Sequence, residues 1–186
     1  MNRGTLFLMV GPSGAGKDSL IRAAVETFAG DPSYVVARRV ITRPLNIDRE
    51  DHEPVSVEDF RGRVNRGEFL LSWNVYDTHY GIPMSYDAEL ANGRNVIANV
   101  SRTVVGPGVA DYPPARVIQV TAPREVLEAR LRARADPATV AARLARAVVL
   151  PEGIPVTHLL NAGDLSTGAA RLVRLLTAET QSVVRA

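Results

Sequence analysis

The sequence predicts an α/β protein in which a mostly parallel sheet is flanked by helices, and three observations carry that expectation. Apolar runs alternate with amphipathic stretches at helical spacing, the pattern of βαβ units. The first run, Leu6 to Val10, leads straight into Gly11-Pro12-Ser13-Gly14-Ala15-Gly16-Lys17 and then into a helical pattern, which is the order strand, loop, helix. The chain of 186 residues is the size of one compact domain, and no apolar run approaches the ~20 residues of a membrane span.

Each element follows from local pattern. The stretch Thr5 to Val10 is shorter than a secretory core and has no cleavage-like site after it, so it reads as a buried strand. Leu20, Ile21, Ala24, Val25 and Phe28 then recur at helical spacing until Gly30. Tyr34 to Ile41 has β-branched character and reads as one strand, with Asn95 to Val100, Arg116 to Val120 and Val156 to Leu160 as further core strands. Ser56 with Asp59 three residues on forms a capping box, weaker than one with Glu, which opens a short helix carrying Phe60 and Val64 and ending at Gly67. Pro123 suits a first helical position; Val126, Leu127, Ala129 and Leu131 follow until Asp136-Pro137 interrupts the helix and restarts it through Val140 and Leu144. A final amphipathic helix from about Ser166 carries Ala169, Leu172, Val173, Leu175 and Leu176.

Composition narrows the function. The absence of cysteine excludes disulfides, thiolate metal sites and a cysteine nucleophile, and agrees with a reducing compartment, the cytoplasm. Twenty-two basic and 20 acidic residues leave a net charge of +2, too little for a nucleic-acid binder with its basic stripe. Neither nucleic acid nor membrane is therefore expected as a partner. The oligomeric state is open, a homodimer included.

The run Gly11 to Lys17 fits the GxxxxGK part of the phosphate loop in its proper setting, and so predicts a P-loop NTPase fold that binds ATP. Glycines let successive N–H groups curl toward phosphate oxygens, the helix N-terminus adds a favourable dipole, and Lys17 bridges the outer phosphates. The residue after the lysine, usually Ser or Thr contributing a hydroxyl to Mg²⁺, is Asp18, with Ser19 next. A carboxylate beside a triphosphate is repelled unless a cation intervenes, so Asp18 contacts Mg²⁺ or its water, or else only complements the helix dipole while Ser19 serves the metal.

The phosphate loop, Thr42-Arg43-Pro44, Val55 to Phe60, Gly67-Glu68-Phe69 and Tyr80-Gly81 together resemble the guanylate kinase family in order and spacing. The resemblance implies a core of about residues 1–39, 84–122 and 148–186, a small acceptor-binding lobe of about 40–83, and a helical lid of about 123–147 with arginines. Asn161, by family position, contacts adenine or merely forms a turn. The base-reading positions depart from that family: its glutamate is Leu71, its serine is Ile82, its tyrosine is His52, and the acidic strand end reads Asn99-Val100-Ser101. A site built to hydrogen-bond a base loses orders of magnitude when those partners become apolar.

Gly-Lys-Asp-Ser in the loop, Ile41 to Pro44, Glu50-Asp51-His52, His79 to Pro83 and Asn99 to Arg102 resemble instead the ribose 1,5-bisphosphate phosphokinases of phosphonate catabolism. That resemblance implies transfer from ATP to the 1-phosphate of ribose 1,5-bisphosphate. It implies Lys17 at the ATP phosphates, Arg134, Arg143 and Arg146 of the lid on the moving group, and Arg43 and Tyr80 on an acceptor phosphate. His52, His79, Asn99, Ser101 and Arg102 are expected to complete the acceptor site, the two histidines by hydrogen bonds to sugar or phosphate, with acid-base groups or metal ligands as the other readings. The alternatives are a nucleoside monophosphate kinase with altered base preference and a module that binds a partner without catalysis. Arg132, four residues after Glu128, is expected in a solvated ion pair, and Arg130 sits on the Arg134 face either as lid or as surface charge. Trp73 and Tyr76 are open to ring stacking or lobe packing, and His158 is expected to be structural.

Overall fold

The computed structural model describes residues 2–28, 31–44, 51–133, 137–145 and 149–184. Five parallel strands make the main sheet: β1 (Leu6–Val10), β2 (Tyr34–Val36), β7 (Asn95–Asn99), β8 (Ala115–Thr121) and β9 (Val156–Leu160), in the order β2-β7-β1-β8-β9. A second sheet, β4-β3-β6-β5, is built from β3 (Arg39–Ile41), β4 (His52–Pro54), β5 (Phe69–Val75) and β6 (Thr78–Pro83). Helices α1 (Lys17–Thr27), α2 (Val57–Asn65), α3 (Ser85–Ala91), α4 (Val105–Asp111), α5 (Arg124–Arg132), α6 (Pro137–Ala145) and α7 (Leu165–Val184) connect or cover them. Among the described residues no helix is long and apolar enough to cross a membrane.

Strand β1 explains the layering. All five of its side chains are fully buried, and alternation sends them to two different faces. Leu6, Leu8 and Val10 join Val96, Ala98 and Val117 against Leu71, Ile82 and Leu90 of the lobe side. Phe7 and Met9 join Ile97, Ile118 and Val120 against Leu20 and Ala24 of α1 and Leu172 and Leu176 of α7. The two helices that flank the phosphate loop's strand therefore rest on the second face, and the acceptor-side sheet rests on the first.

The single strand expected over Tyr34 to Ile41 is two. Val35 pairs with Val96 in the main sheet, while Val40 pairs with Gly81 in the second sheet. The crossing is held by Tyr86, whose hydroxyl accepts the Arg38 N–H at 2.8 Å and donates to the Val36 carbonyl at 3.3 Å, so the backbone that leaves one ladder keeps its partners. Pro123 is the N-cap and not the first helical residue: its ψ of 147° is extended, and α5 begins at Arg124. On α2 Phe60 is buried but Val64 is exposed. Ser56 Oγ accepts the Asp59 N–H at 3.0 Å, the N-cap half of the expected box, while Asp59 Oδ2 accepts from the Ser56 hydroxyl at 2.7 Å. Arg132 pairs with Glu128 on the surface at 2.5 Å. His158, expected as structural, is exposed on edge strand β9.

Candidate active site

A polar cleft of about 640 Å³ opens where the carboxyl ends of β1 and β7 meet the second sheet. Its floor is the phosphate loop. Gly11 has φ 145°, and a Cβ there would lie 2.1 Å from the Val120 carbonyl oxygen. Gly16, φ 84°, would bring a Cβ to 2.6 Å from Asn161 Nδ2. Only glycine fits either place. The first helical bond of α1 runs from Leu20 N–H to the Gly16 carbonyl, so the N–H groups of Lys17, Asp18 and Ser19 have no helical acceptor and form the anion-binding end.

Two contacts brace this loop. Lys17 Nζ donates to the carbonyls of Gly11 at 2.9 Å and Pro12 at 3.2 Å, folding its ammonium over the turn. Asn161, 5% exposed, donates from Nδ2 to the Ala15 carbonyl at 2.8 Å, while its own N–H bonds the Thr121 carbonyl at 2.7 Å. Arg130 Nη1 lies 3.4–3.5 Å from the carbonyls of Gly14, Ala15 and Asn161, at the limit of hydrogen bonding. Asn161 thus ties the end of β9 to the loop, and Arg130 faces the cleft and not bulk solvent.

Opposite the loop stand Arg43 on the chain after β3, Trp73 on β5, and Thr78 and Tyr80 on β6. Trp73 and Tyr80 are paired across the strands and stack with centroids 5.5 Å apart and planes 4° from parallel. Asn99, Ser101 and Arg102 line the cleft from the end of β7, Ser101 also accepting the Thr103 hydroxyl at 2.9 Å. Arg143 of α6 reaches the cleft with an exposed side chain. Arg134 and Arg146 lie outside the described residues.

Two expected acceptor residues are placed elsewhere. His52 is fully buried, and its Nε2 donates to the Arg43 carbonyl at 3.0 Å, so it holds the Arg43 turn from behind. His79 stacks on Phe60 at 5.4 Å and lines a separate groove against α2. The cause is the period of two: Thr78 and Tyr80 face the cleft, and the residue between them faces the other side. Leu71 and Ile82, at 5% and 0% exposure, belong to the core and offer the cleft no hydrogen bond.

The comparisons with known proteins fit this geometry. No family model matches the sequence. The bifunctional ribose 1,5-bisphosphokinase-thymidine phosphorylase of Cupriavidus necator is 46% identical over 182 residues, covering 96% of this chain and 30% of that protein. The chain thus spans about 30% of the length of the first curated relatives it matches. The ribose 1,5-bisphosphate phosphokinase PhnN of Rhodopseudomonas palustris is 41% identical over 175 residues, covering 93% of this chain and 88% of the relative. The chain belongs to the ribose 1,5-bisphosphate phosphokinase family. Among solved structures, a guanylate kinase from Anaplasma phagocytophilum superposes with a TM-score of 0.70 at 18% identity, over 96% of this chain and 87% of that one. A gluconokinase from Sinorhizobium meliloti does so at 0.55 and 14%, over 99% and 98%. These two likenesses establish the P-loop kinase fold alone.

Within this ribose 1,5-bisphosphate phosphokinase family member, the residues that sequence reasoning missed are Arg39 and Arg22, both lining the cleft. Arg39 Nη2 donates to Asp18 Oδ1 at 2.9 Å and its Nη1 to the Asn99 carbonyl at 3.2 Å. The available signals were weak: an arginine opening a buried strand needs a partner, and Arg22 stands one helical turn from Asp18. Among the described residues no three His, Asp or Glu converge on a metal. Mg²⁺ in phosphoryl-transfer sites needs only one or two protein oxygens beside phosphates and water, and the donor set of Asp18 and Ser19 at the cleft floor meets that need.

Proposed function

We propose that this chain transfers the terminal phosphoryl group of ATP to the 1-phosphate of ribose 1,5-bisphosphate, giving 5-phosphoribosyl 1-diphosphate and ADP. The observation that carries the reading is one cleft with two unlike walls. One wall is a phosphate loop with Lys17; the other presents Arg43 and Tyr80 while the positions that read a base are the buried Leu71 and Ile82. An acceptor with phosphates and hydroxyls but no base suits such a wall. Leu71 and Ile82 leave a base edge without hydrogen-bond partners, which disfavours a nucleotide acceptor. The family named by its relatives supplies the same substrate.

In this mechanism an acceptor phosphate oxygen, already ionised, forms the new bond to the γ-phosphorus, the bond to the β–γ bridging oxygen breaks, and ADP leaves with that electron pair. No general base is needed, so the protein positions and neutralises. Lys17 and the α1 N–H groups hold the donor phosphates, Arg43 and Tyr80 the acceptor phosphate, and Arg143 with Arg130 the charge that develops between them. Ser19 and Asp18 would hold Mg²⁺, which when bound would supply charge neutralisation for the polyphosphate. Residues 123–147 act as the lid, 40–83 as the acceptor lobe and the remainder as the core, and lid closure excludes water. The pathway is phosphonate catabolism and the compartment the cytoplasm.

The test is ADP release with ribose 1,5-bisphosphate, GMP, AMP or no acceptor, with the product identified by phosphorus NMR. Turnover with the sugar bisphosphate and formation of the 1-diphosphate is the expected result. Turnover on GMP with none on the sugar overturns it.

A further inference from the structure

Asp18 stands at the anion-binding end of α1, where a carboxylate by charge alone opposes a bound polyphosphate. Its Oδ1 accepts two bonds from two other elements, Arg39 Nη2 at 2.9 Å from β3 and Asn99 Nδ2 at 2.6 Å from β7. Arg39 Nη1 closes the ring on the Asn99 carbonyl at 3.2 Å. The Arg39 side chain is 12% exposed and that of Asp18 is 46%, so the guanidinium is the sequestered partner and the carboxylate lies at the cleft surface. A planar fork held at two nitrogens has one orientation, which a lysine cannot reproduce.

We propose that Arg39 is a positioning residue for the nucleotide site: it neutralises and fixes Asp18 beside the donor phosphates, and the same contact fastens the first strand of the acceptor sheet to the phosphate loop. The inference rests on the reading of the cleft as a nucleotide site. It explains how this chain carries an acid in place of the usual hydroxyl after the loop lysine without weakening the anion cradle. It also makes Asp18 and Arg39 a unit, so the effect of changing one depends on the other.

The experiment is a double-mutant cycle read by calorimetric ADP binding, first in EDTA and then with Mg²⁺, on wild type, Arg39→Gln, Asp18→Ser and the double variant. In EDTA, Arg39→Gln leaves Asp18 uncompensated and weakens ADP binding about tenfold, whereas in the Asp18→Ser background the same change costs less than about threefold. Arg39→Lys, which keeps the charge and loses the fork, falls between wild type and Arg39→Gln. Melting temperatures are recorded for all variants, and if Arg39→Gln unfolds, the cycle is run with Arg39→Lys. Equal losses in both backgrounds, the signature of a distant charge acting additively, overturn the inference alone. Absence of ADP affinity in the wild type overturns the nucleotide reading and this inference with it.

Discussion

Replacing Asn161 by Ala separates two roles for a residue that the family resemblance sets near adenine. In the structure its Nδ2 donates to the Ala15 carbonyl at 2.8 Å, and both residues are buried. With the amide gone, Arg130 Nη1 is left beside that carbonyl at 3.5 Å, too far for a good bond. Leaving a buried acceptor unsatisfied costs about 1–3 kcal/mol. In a chain of this size each kcal/mol moves the melting point by roughly 2–4 °C. A fall of about 4–8 °C is therefore expected for a loss near the middle of that range. The amide also sits against Gly16, so the loop loses a wall as well as a bond, and ADP affinity falls with stability. Thermal unfolding with and without saturating ADP measures both effects. Asn161→Asp is expected to be no better than Ala, since it faces one acceptor with another. An unchanged melting point with weakened ADP binding refutes the bracing argument and returns Asn161 to a base contact.

Lys17→Ala removes the ammonium that folds over the Gly11 and Pro12 carbonyls, so phosphoryl transfer should fall by at least about 10²-fold. The circular-dichroism melt should stay close to wild type; near-normal turnover would show that the loop is not the donor site. Leu71→Glu should not create GMP kinase activity and should lower stability by several kcal/mol, because the new carboxylate enters the core beside Ile82 and Leu90. A coupled assay with GMP, together with a urea titration, checks both halves.

The phosphate loop was legible because its information is local: strand, glycines, lysine and helix lie within a short run of sequence. The second sheet was not. Its strand β4 is three residues long and ends in Pro54, and β6 contains Gly81, which reads as a break. The glycine is there because the Phe69 ring lies 2.4 Å from where its Cβ would be, a cross-strand fact that no window of sequence contains. The β5–β6 turn also hides, since Tyr76 takes the positive φ of 52° that Asn or Gly usually marks. His52 and His79 were misplaced for a related reason: a strand residue's face depends on register, and one step reverses it. Arg39 left only a weak trace because its partner Asp18 is 21 residues away and the contact joins different elements.

Burial gives the altered acceptor wall its physical meaning. Leu71 and Ile82 are not merely unable to hydrogen-bond a base; they are part of the packing between the second sheet and β1, in one cluster with Leu6, Leu8, Val96 and Ala98. The fit is close enough that a Cβ on Gly108 would approach Leu8 Cδ1 to 2.9 Å and Leu71 Cδ1 to 3.4 Å. A polar residue restored at either position would need a hydrogen-bond partner that this cluster of apolar side chains does not supply. What remains facing the cleft is the Trp73–Tyr80 stack with Arg43, a surface that offers rings, a hydroxyl and a cation. Acceptor preference and stability are thereby set by the same residues, so a single substitution cannot recover base recognition without also opening the core on which the lobe is seated.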